Sequence, residues 1–243
     1  MVFSIIAAGD GSRLAKEGLK TPKPLVNIQG VPMIQRLTDI FCQVGANKIV
    51  VINNEWQTDT QRFIRDLAKK GNPIELVVKT TPSSMHSFYH LMPSIGKGKF
   101  CLTTVDTIFK PEEFKLFIDA FLNDDCDGYM AVTDFIDDEK PLYVSYDRQG
   151  WITGFHDSIE DFKQSEDGKG GNSKCDCISG GIYCLTHKAF NTLRYCFDNG
   201  IERMRNFQRQ LVNDGFRLKA YKFTKILDID HVDDIKKAED FLK

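Results

Sequence analysis

Two glycines and two cations stand close together near the start of the chain, in Ala7-Ala-Gly-Asp-Gly-Ser-Arg-Leu14 and Lys20-Thr-Pro-Lys-Pro-Leu25. Gly9 and Gly11 open backbone conformations that side chains close, and they let main-chain N–H groups approach an anion. Arg13 carries a guanidinium that grips phosphate oxygens in pairs. Lys23, set between two prolines, is an ammonium on a stiffened backbone. After a short apolar run, this set describes a cradle for a triphosphate; the bland alternative is a strand closed by a tight turn. A dinucleotide fingerprint needs a third glycine where this chain has Arg13, and a loop ending in Gly-Lys-Ser/Thr is absent.

The acidic residues suggest a metal. Asp106 closes the run Thr103-Thr-Val-Asp106 at the C-terminal end of an expected strand, the edge at which open α/β sheets bind ligands. A carboxylate there suits magnesium, which takes oxygen ligands and arrives with substrate phosphates. The alternative is a strand-end or helix-capping aspartate. Asp228-Ile-Asp230 adds a second acidic group, and residues two apart in a strand face one side, so both carboxylates would meet one ion. Asp233 and Asp234 favour the start of the last helix. In Thr80-Thr-Pro-Ser-Ser-Met-His-Ser87, Ser84 and Ser87 carry hydroxyls that can hydrogen-bond a ligand, while Ser83 or Ser84 equally caps the next helix. His86 reads as a surface or capping residue.

These groups need elements to hold them. Apolar periodicity predicts strands at 3–8, 48–53, 74–79 and 99–105, with helices at 32–44, 56–70, 84–92 and from Pro111. Strand–helix alternation predicts a largely parallel sheet covered on both faces, the three-layer α/β/α class. From Tyr129 the pattern changes. A β-hairpin is expected around Asp147-Arg-Gln-Gly150, a strand at 178–185, helices near 186–199 and 201–213, and a strand at 217–223. Residues 158–174, polar and glycine-rich, are expected to form a mobile loop. A terminal helix would turn Val232, Ile235, Ala238 and Leu242 inward. No linker interrupts the chain, so residues 1–243 read as one domain with an inserted hairpin and loop.

Composition narrows the function classes. Hydrophobic residues make up 42% of 243, enough for an ordinary core. Thirty-two basic against 34 acidic side chains give a formal charge of −2, which argues against a protein that coats nucleic acid. No stretch approaches the ~20 apolar residues of a membrane-spanning helix, and the first residues lack the basic start of a signal peptide. A cytoplasmic location is therefore expected. Seven scattered cysteines read as reduced thiols, with Cys42, Cys101 and Cys184 in apolar runs where buried thiols sit. Cys175-Asp-Cys177 lacks the second pair that zinc needs.

The glycine loop together with Pro22-Lys-Pro-Leu25 resembles the signature of the nucleotidyltransferase family that contains sugar-1-phosphate pyrophosphorylases and phosphocholine cytidylyltransferases. Further likenesses run to the C-terminus and cover nearly the whole chain. The resemblance implies a Rossmann-like nucleotide-diphospho-sugar transferase fold with a mostly parallel, mixed sheet. It implies Mg2+-dependent transfer of a nucleoside monophosphate from a nucleoside triphosphate to a small phosphorylated acceptor, foremost a sugar-1-phosphate. Ala8, Gly9, Gly11, Ser12, Arg13, Ser84 and Asp106 would then bind the nucleotide. Arg13 and Lys23 would neutralise charge during transfer, and the metal would sit on Asp106 and Asp230, with Asp228 second.

On the acceptor side, Gly180 lies in Ser179-Gly-Gly-Ile-Tyr183, which resembles the segment where a glycine backbone nears the acceptor. Gly150-Trp-Ile-Thr-Gly-Phe155 resembles the stretch that precedes a second family lysine, but His156-Asp-Ser follows. Lys163 is then either a substitute or an ordinary solvated lysine, and phosphocholine or another alcohol phosphate stays open as acceptor. A phosphate monoester, with its second pKa near ~6, is already anionic and needs no general base. The expected partners are the triphosphate and the acceptor, with no nucleic acid and no membrane; homo-oligomerisation stays open. The rival class is a regulatory domain that binds nucleotide without turnover.

Overall fold

The structure is a computed structural model that describes residues 1–137, 139–166 and 173–243. In chain order the first half comprises β1 (Val2–Ala7), α1 (Ser12–Lys16), β2 (Asn27–Ile28), β3 (Val31–Pro32), α2 (Met33–Gln43), β4 (Lys48–Asn53), α3 (Thr58–Lys69), β5 (Ile74–Val78), α4 (Ser84–Ile95), β6 (Lys99–Thr104), β7 (Thr107–Ile108) and α5 (Pro111–Leu122). The second half comprises β8 (Gly128–Thr133), β9 (Tyr143–Tyr146), β10 (Ile152–His156), α6 (Ile159–Glu166), β11 (Lys174–Thr186), α7 (Ala189–Asp198), α8 (Met204–Asn213), β12 (Leu218–Lys222), β13 (Leu227–Asp228) and α9 (Val232–Phe241).

The main sheet runs β10-β9-β11-β6-β1-β4-β5, with β8 beside β11 and β12 beside β8. It is parallel from β6 through β1 and β4 to β5 and antiparallel where β11 joins β6, β8 and β9. Side chains of the central strands alternate between two cores. Ile6, Val50, Ile52, Phe100 and Leu102 meet the α4, α7 and α8 layer. Phe3, Ile5, Ile49, Val51 and Cys101 meet the α2, α3 and α5 layer. A strand buried on both faces needs this continuous apolar run, and the sequence supplies it. The mixed three-layer α/β/α architecture expected from sequence is thus the one observed.

Order within the sheet places the site. From β1 the chain steps outward to β4 and β5, then returns to the opposite side of β1 as β6. Loops leaving the C-terminal ends of β1 and β6 therefore diverge and open a crevice, the usual ligand position in such sheets. A smaller core of Leu14, Val26, Ile28, Met33, Ile108, Leu227, Ile229 and Ala238 ties α1, β7, β13 and α9 together beneath it.

Several expectations need correction. Residues 159–166 form α6 rather than loop, because the Ser158 hydroxyl accepts the Asp161 N–H (3.0 Å) and acidic Glu160 and Asp161 occupy the first turn. Residues 167–172 of the expected loop lie outside the described residues. Pro32 ends β3 and precedes α2 instead of opening it. Val232 is exposed rather than inward, since α9 begins there and only later turns reach the small core. Cys42 is only half-buried, whereas Cys101 and Cys184 are fully enclosed. Among the described residues no helix is long and apolar enough to cross a membrane.

Candidate functional site

The loop after β1 is held from one side by side-chain amides. Asn53 Nδ2 donates to the Ala7 carbonyl (2.7 Å), Asn54 Nδ2 to those of Ala8 (3.2 Å) and Gly9 (3.4 Å), and Gln57 Nε2 to that of Gly9 (3.0 Å). In a trans peptide the N–H points away from the C=O, so the amides of these same peptides face away from the anchoring loop. Gly11 sits at φ +66°, and a Cβ there would come within 3.2 Å of the Lys23 Cβ. Gly9 is different. Its φ is ordinary for any residue and a Cβ would meet nothing within 4 Å, so the protein alone does not require glycine there. Gly11→Ala is expected to lower stability by about 1–2 kcal/mol through the left-handed backbone. An unchanged denaturation midpoint would show that the loop relaxes freely.

Three elements distant in sequence deliver the charges. Asp106 follows β6 in a turn, one residue beyond Val105, whose N–H bonds the Ile6 carbonyl (3.0 Å). The C-terminal acidic segment is brought beside it by the pairing of β13 with β7, Leu227 with Ile108 and Asp228 with Thr107. Ile229 N–H then donates to the Asp106 carbonyl (3.2 Å). Glu17, just after α1, accepts the Val232 N–H (2.7 Å) and pairs with His231, whose pKa it raises. Helix α1, which follows the glycine loop, and the Asp230 segment are thereby fastened to each other.

At the centre lies one ion network. Lys23 Nζ contacts both the Asp106 carboxylate and Asp230 Oδ1 (2.9 Å), and Arg13 Nη1 reaches Asp230 Oδ2. The Lys23 side chain is only 13% exposed. Burial disfavours its charge, but the carboxylates of Asp106 and Asp230 outweigh burial and hold its pKa above the ordinary value. Burial likewise pushes Asp230 upward, while Lys23 and Arg13 win and hold it below the usual carboxylate range. A raised lysine pKa stabilises the fold below 10.5 and is lost above it, and a lowered aspartate pKa stabilises above 3.8 and is lost below it. Lys23 and Asp230 are therefore both charged across the neutral range.

Arg13, Lys23, Asp106 and Asp230 line one cleft of about 500 Å3, together with Ala8, Gly9, Gly11, Ser12 and Ser84. That size suits a nucleotide. Ser83 is the residue that caps α4, accepting the His86 N–H (3.4 Å) and bonding its ring (2.8 Å). Ser84 is thus not needed as a cap. A second cleft of about 240 Å3 shares Arg13 and Asp230 with the first, and Gly180 and Asp228 line it. A Cβ on Gly180 would fall 2.2 Å from the Ile226 Cδ1, so the tip of that side chain would have to move to admit one. Lys163 is the residue left apart. It stands on the exposed face of α6, and among the described residues it lines neither cleft.

Sequence reasoning passed over the anchoring amides Asn53, Asn54, Gln57 and Gln61, all buried. The signal was present as a polar run, Asn53-Asn-Glu-Trp-Gln57, placed directly after an apolar strand. It also passed over Phe135, Asp137, Glu139 and Lys237 around the second cleft, while Asp234, expected at the start of the last helix, caps α9 there by accepting the His231 N–H (2.8 Å). No local spacing marks the first four.

Comparison with known proteins bears on the family and the fold. The family described as MobA-like NTP transferase domain matches residues 4–169, a span that includes Arg13, Lys23 and Asp106 and ends before Asp230. The inositol-1-phosphate CTP transferase of T. maritima superposes with a TM-score of 0.75 at 18% identity, covering 100% of this chain and 97% of its own. A candidate glucose-1-phosphate thymidylyltransferase from Bacillus anthracis, solved with sucrose, gives a TM-score of 0.81 at 16% identity, covering 99% and 95%. At such identities these two likenesses speak for the fold.

Proposed function

We propose that this chain, which belongs to the MobA-like NTP transferase domain family and is a nucleotidyltransferase, moves a nucleoside monophosphate from a nucleoside triphosphate to a sugar-1-phosphate. The observation that carries the reading is the single cleft in which Arg13 and Lys23 meet Asp106 and Asp230.

In this reading the triphosphate lies along Ala8, Gly9, Gly11 and Ser12. An oxygen of the acceptor phosphate attacks the α-phosphorus, the bond from that phosphorus to the bridging oxygen breaks, and its electron pair leaves with pyrophosphate. The acceptor is already anionic, so no side chain need remove a proton. The obstacle is repulsion between two polyanions, and preorganised cations lower it. Arg13 borders both clefts and can touch both substrates.

The donor set fits magnesium. Two carboxylates, hard oxygen ligands, converge on one point that already accommodates positive charge, the ammonium of Lys23. Asp106 and Asp230 would hold the ion, and Asp228, which lines only the second cleft, stands further along the acceptor side. Bound there, magnesium would supply neutralising charge at the phosphates. Lys23 and Arg13 would then turn from carboxylate to phosphate.

The second cleft is rich in carboxylates: Asp137, Glu139, Asp228 and Asp234 line it. Carboxylates accept hydrogen bonds from sugar hydroxyls, and both structural neighbours named above are named for the 1-phosphate monoester of a hydroxylated ring. The same acidic lining also suits a cationic head, which keeps phosphocholine as the second reading. Pyrophosphate release measured over the four common triphosphates, each with sugar-1-phosphates and phosphocholine, tests this. Release with a sugar-1-phosphate is expected. Release with phosphocholine alone selects the second reading, and silence across the panel selects a domain that binds without turnover.

A further inference from the structure

Trp56 is 60% exposed, and of the seven large apolar side chains left exposed among the described residues it alone lines the nucleotide cleft. An indole left in water forgoes the gain that burying its apolar faces would bring. Among the described residues no aromatic ring or cation packs against it.

Its loop is firmly built. Besides the bonds from Asn53, Asn54 and Gln57 to the phosphate loop, Gln57 N–H donates to Asn54 Oδ1 (3.0 Å), and Gln61 Nε2 donates to the Asn54 carbonyl (2.8 Å). Glu55 N–H reaches Thr80 Oγ1 (3.3 Å), joining this loop to the segment that opens α4. That segment lines the same cleft with Thr81, Ser83, Ser84 and Ser87. A rigid backbone therefore presents one broad apolar face beside a row of hydroxyls and next to the glycine loop. The ligand that matches has a flat apolar face, an edge of hydrogen-bonding groups and a polyanionic tail.

We propose that Trp56 is the platform on which the nucleobase of the bound triphosphate stacks. The inference rests on the nucleotidyl-transfer reading and adds the position of the base. It assigns Trp56 to ground-state binding and not to charge neutralisation.

Fluorescence tests it directly. The chain has two tryptophans, and Trp151 lies between Arg217 and Lys219, away from both clefts. In Trp151→Phe, nucleoside triphosphate with magnesium should quench the remaining indole emission, whereas inorganic tripolyphosphate, which has no base, should bind and leave it unchanged. In the otherwise natural chain, Trp56→Ala should weaken triphosphate binding by roughly 10- to 100-fold by calorimetry, raise KM more than it lowers kcat, and leave tripolyphosphate binding unaltered. Trp56→Phe should recover most of the loss. Binding without quenching, or an equal loss for tripolyphosphate, overturns the stacking while leaving transfer intact. If no triphosphate binds at all, both readings fall together.

Discussion

Lys23→Ala is expected to lower pyrophosphate-releasing turnover by more than ~100-fold, a loss of about 2.7 kcal/mol of transition-state stabilisation. Lys23 is the most enclosed cation of the network and the one shared by Asp106 and Asp230. Its stem is fixed by a short turn between two prolines, so the charge is placed before substrate arrives. A group held ready in this way contributes most where charge moves, and kcat should fall further than KM rises. The same substitution removes the counter-charge between two carboxylates in the ligand-free protein. Added magnesium should therefore raise the melting temperature more in Lys23→Ala than in the natural chain. Lys23→Arg keeps the charge but not its shape, and is expected to recover activity only in part. Near-normal turnover in Lys23→Ala would remove this residue from the mechanism.

Asp106→Asn is expected to abolish activity and its magnesium dependence together, with little change in fold, because the side chain keeps its volume and only the charge is lost. Asp230→Asn should behave in the same way, while Asp228→Asn, in a residue that lines the second cleft and not the first, should alter acceptor KM and spare magnesium dependence. Titrations of turnover against magnesium in the three variants order the carboxylates. Retained magnesium-stimulated turnover in Asp106→Asn would contradict its placement at the metal. A loss in Asp228→Asn equal to that in Asp230→Asn would move the ion toward the second cleft.

Much of this was legible locally. The run Lys48–Asn53 reads as a buried strand because both faces are apolar, and it is one. Phe114, Phe117, Ile118 and Phe121 fall on one side of a helix opened by Pro111, and all four are buried. Gly11 and Lys23 are near neighbours in sequence, so their joint placement needs only the loop itself. Other features escaped for a physical reason. Helix α6 hides in a polar, glycine-containing stretch whose stability comes from its cap and first-turn charges rather than from an apolar stripe. Reading Asp228 and Asp230 as one strand face was too simple, since β13 ends at Asp228 and Asp230 lies beyond it.

The chain's own order of residues therefore determined which chemical groups exist and which short elements carry them: a glycine loop, two cations, and carboxylates at strand ends. Tertiary structure decided which of them meet. Lys23 and Asp230 are 207 residues apart, and the antiparallel pairing of β13 with β7, with the Glu17 clasp on residues 231 and 232, brings the second carboxylate to the first. Local patterns reflect interactions a few residues apart, whereas a shared cleft depends on where distant strands cross. For the same reason Trp56 looked like the start of a helix in the sequence and took on meaning only beside the glycine loop.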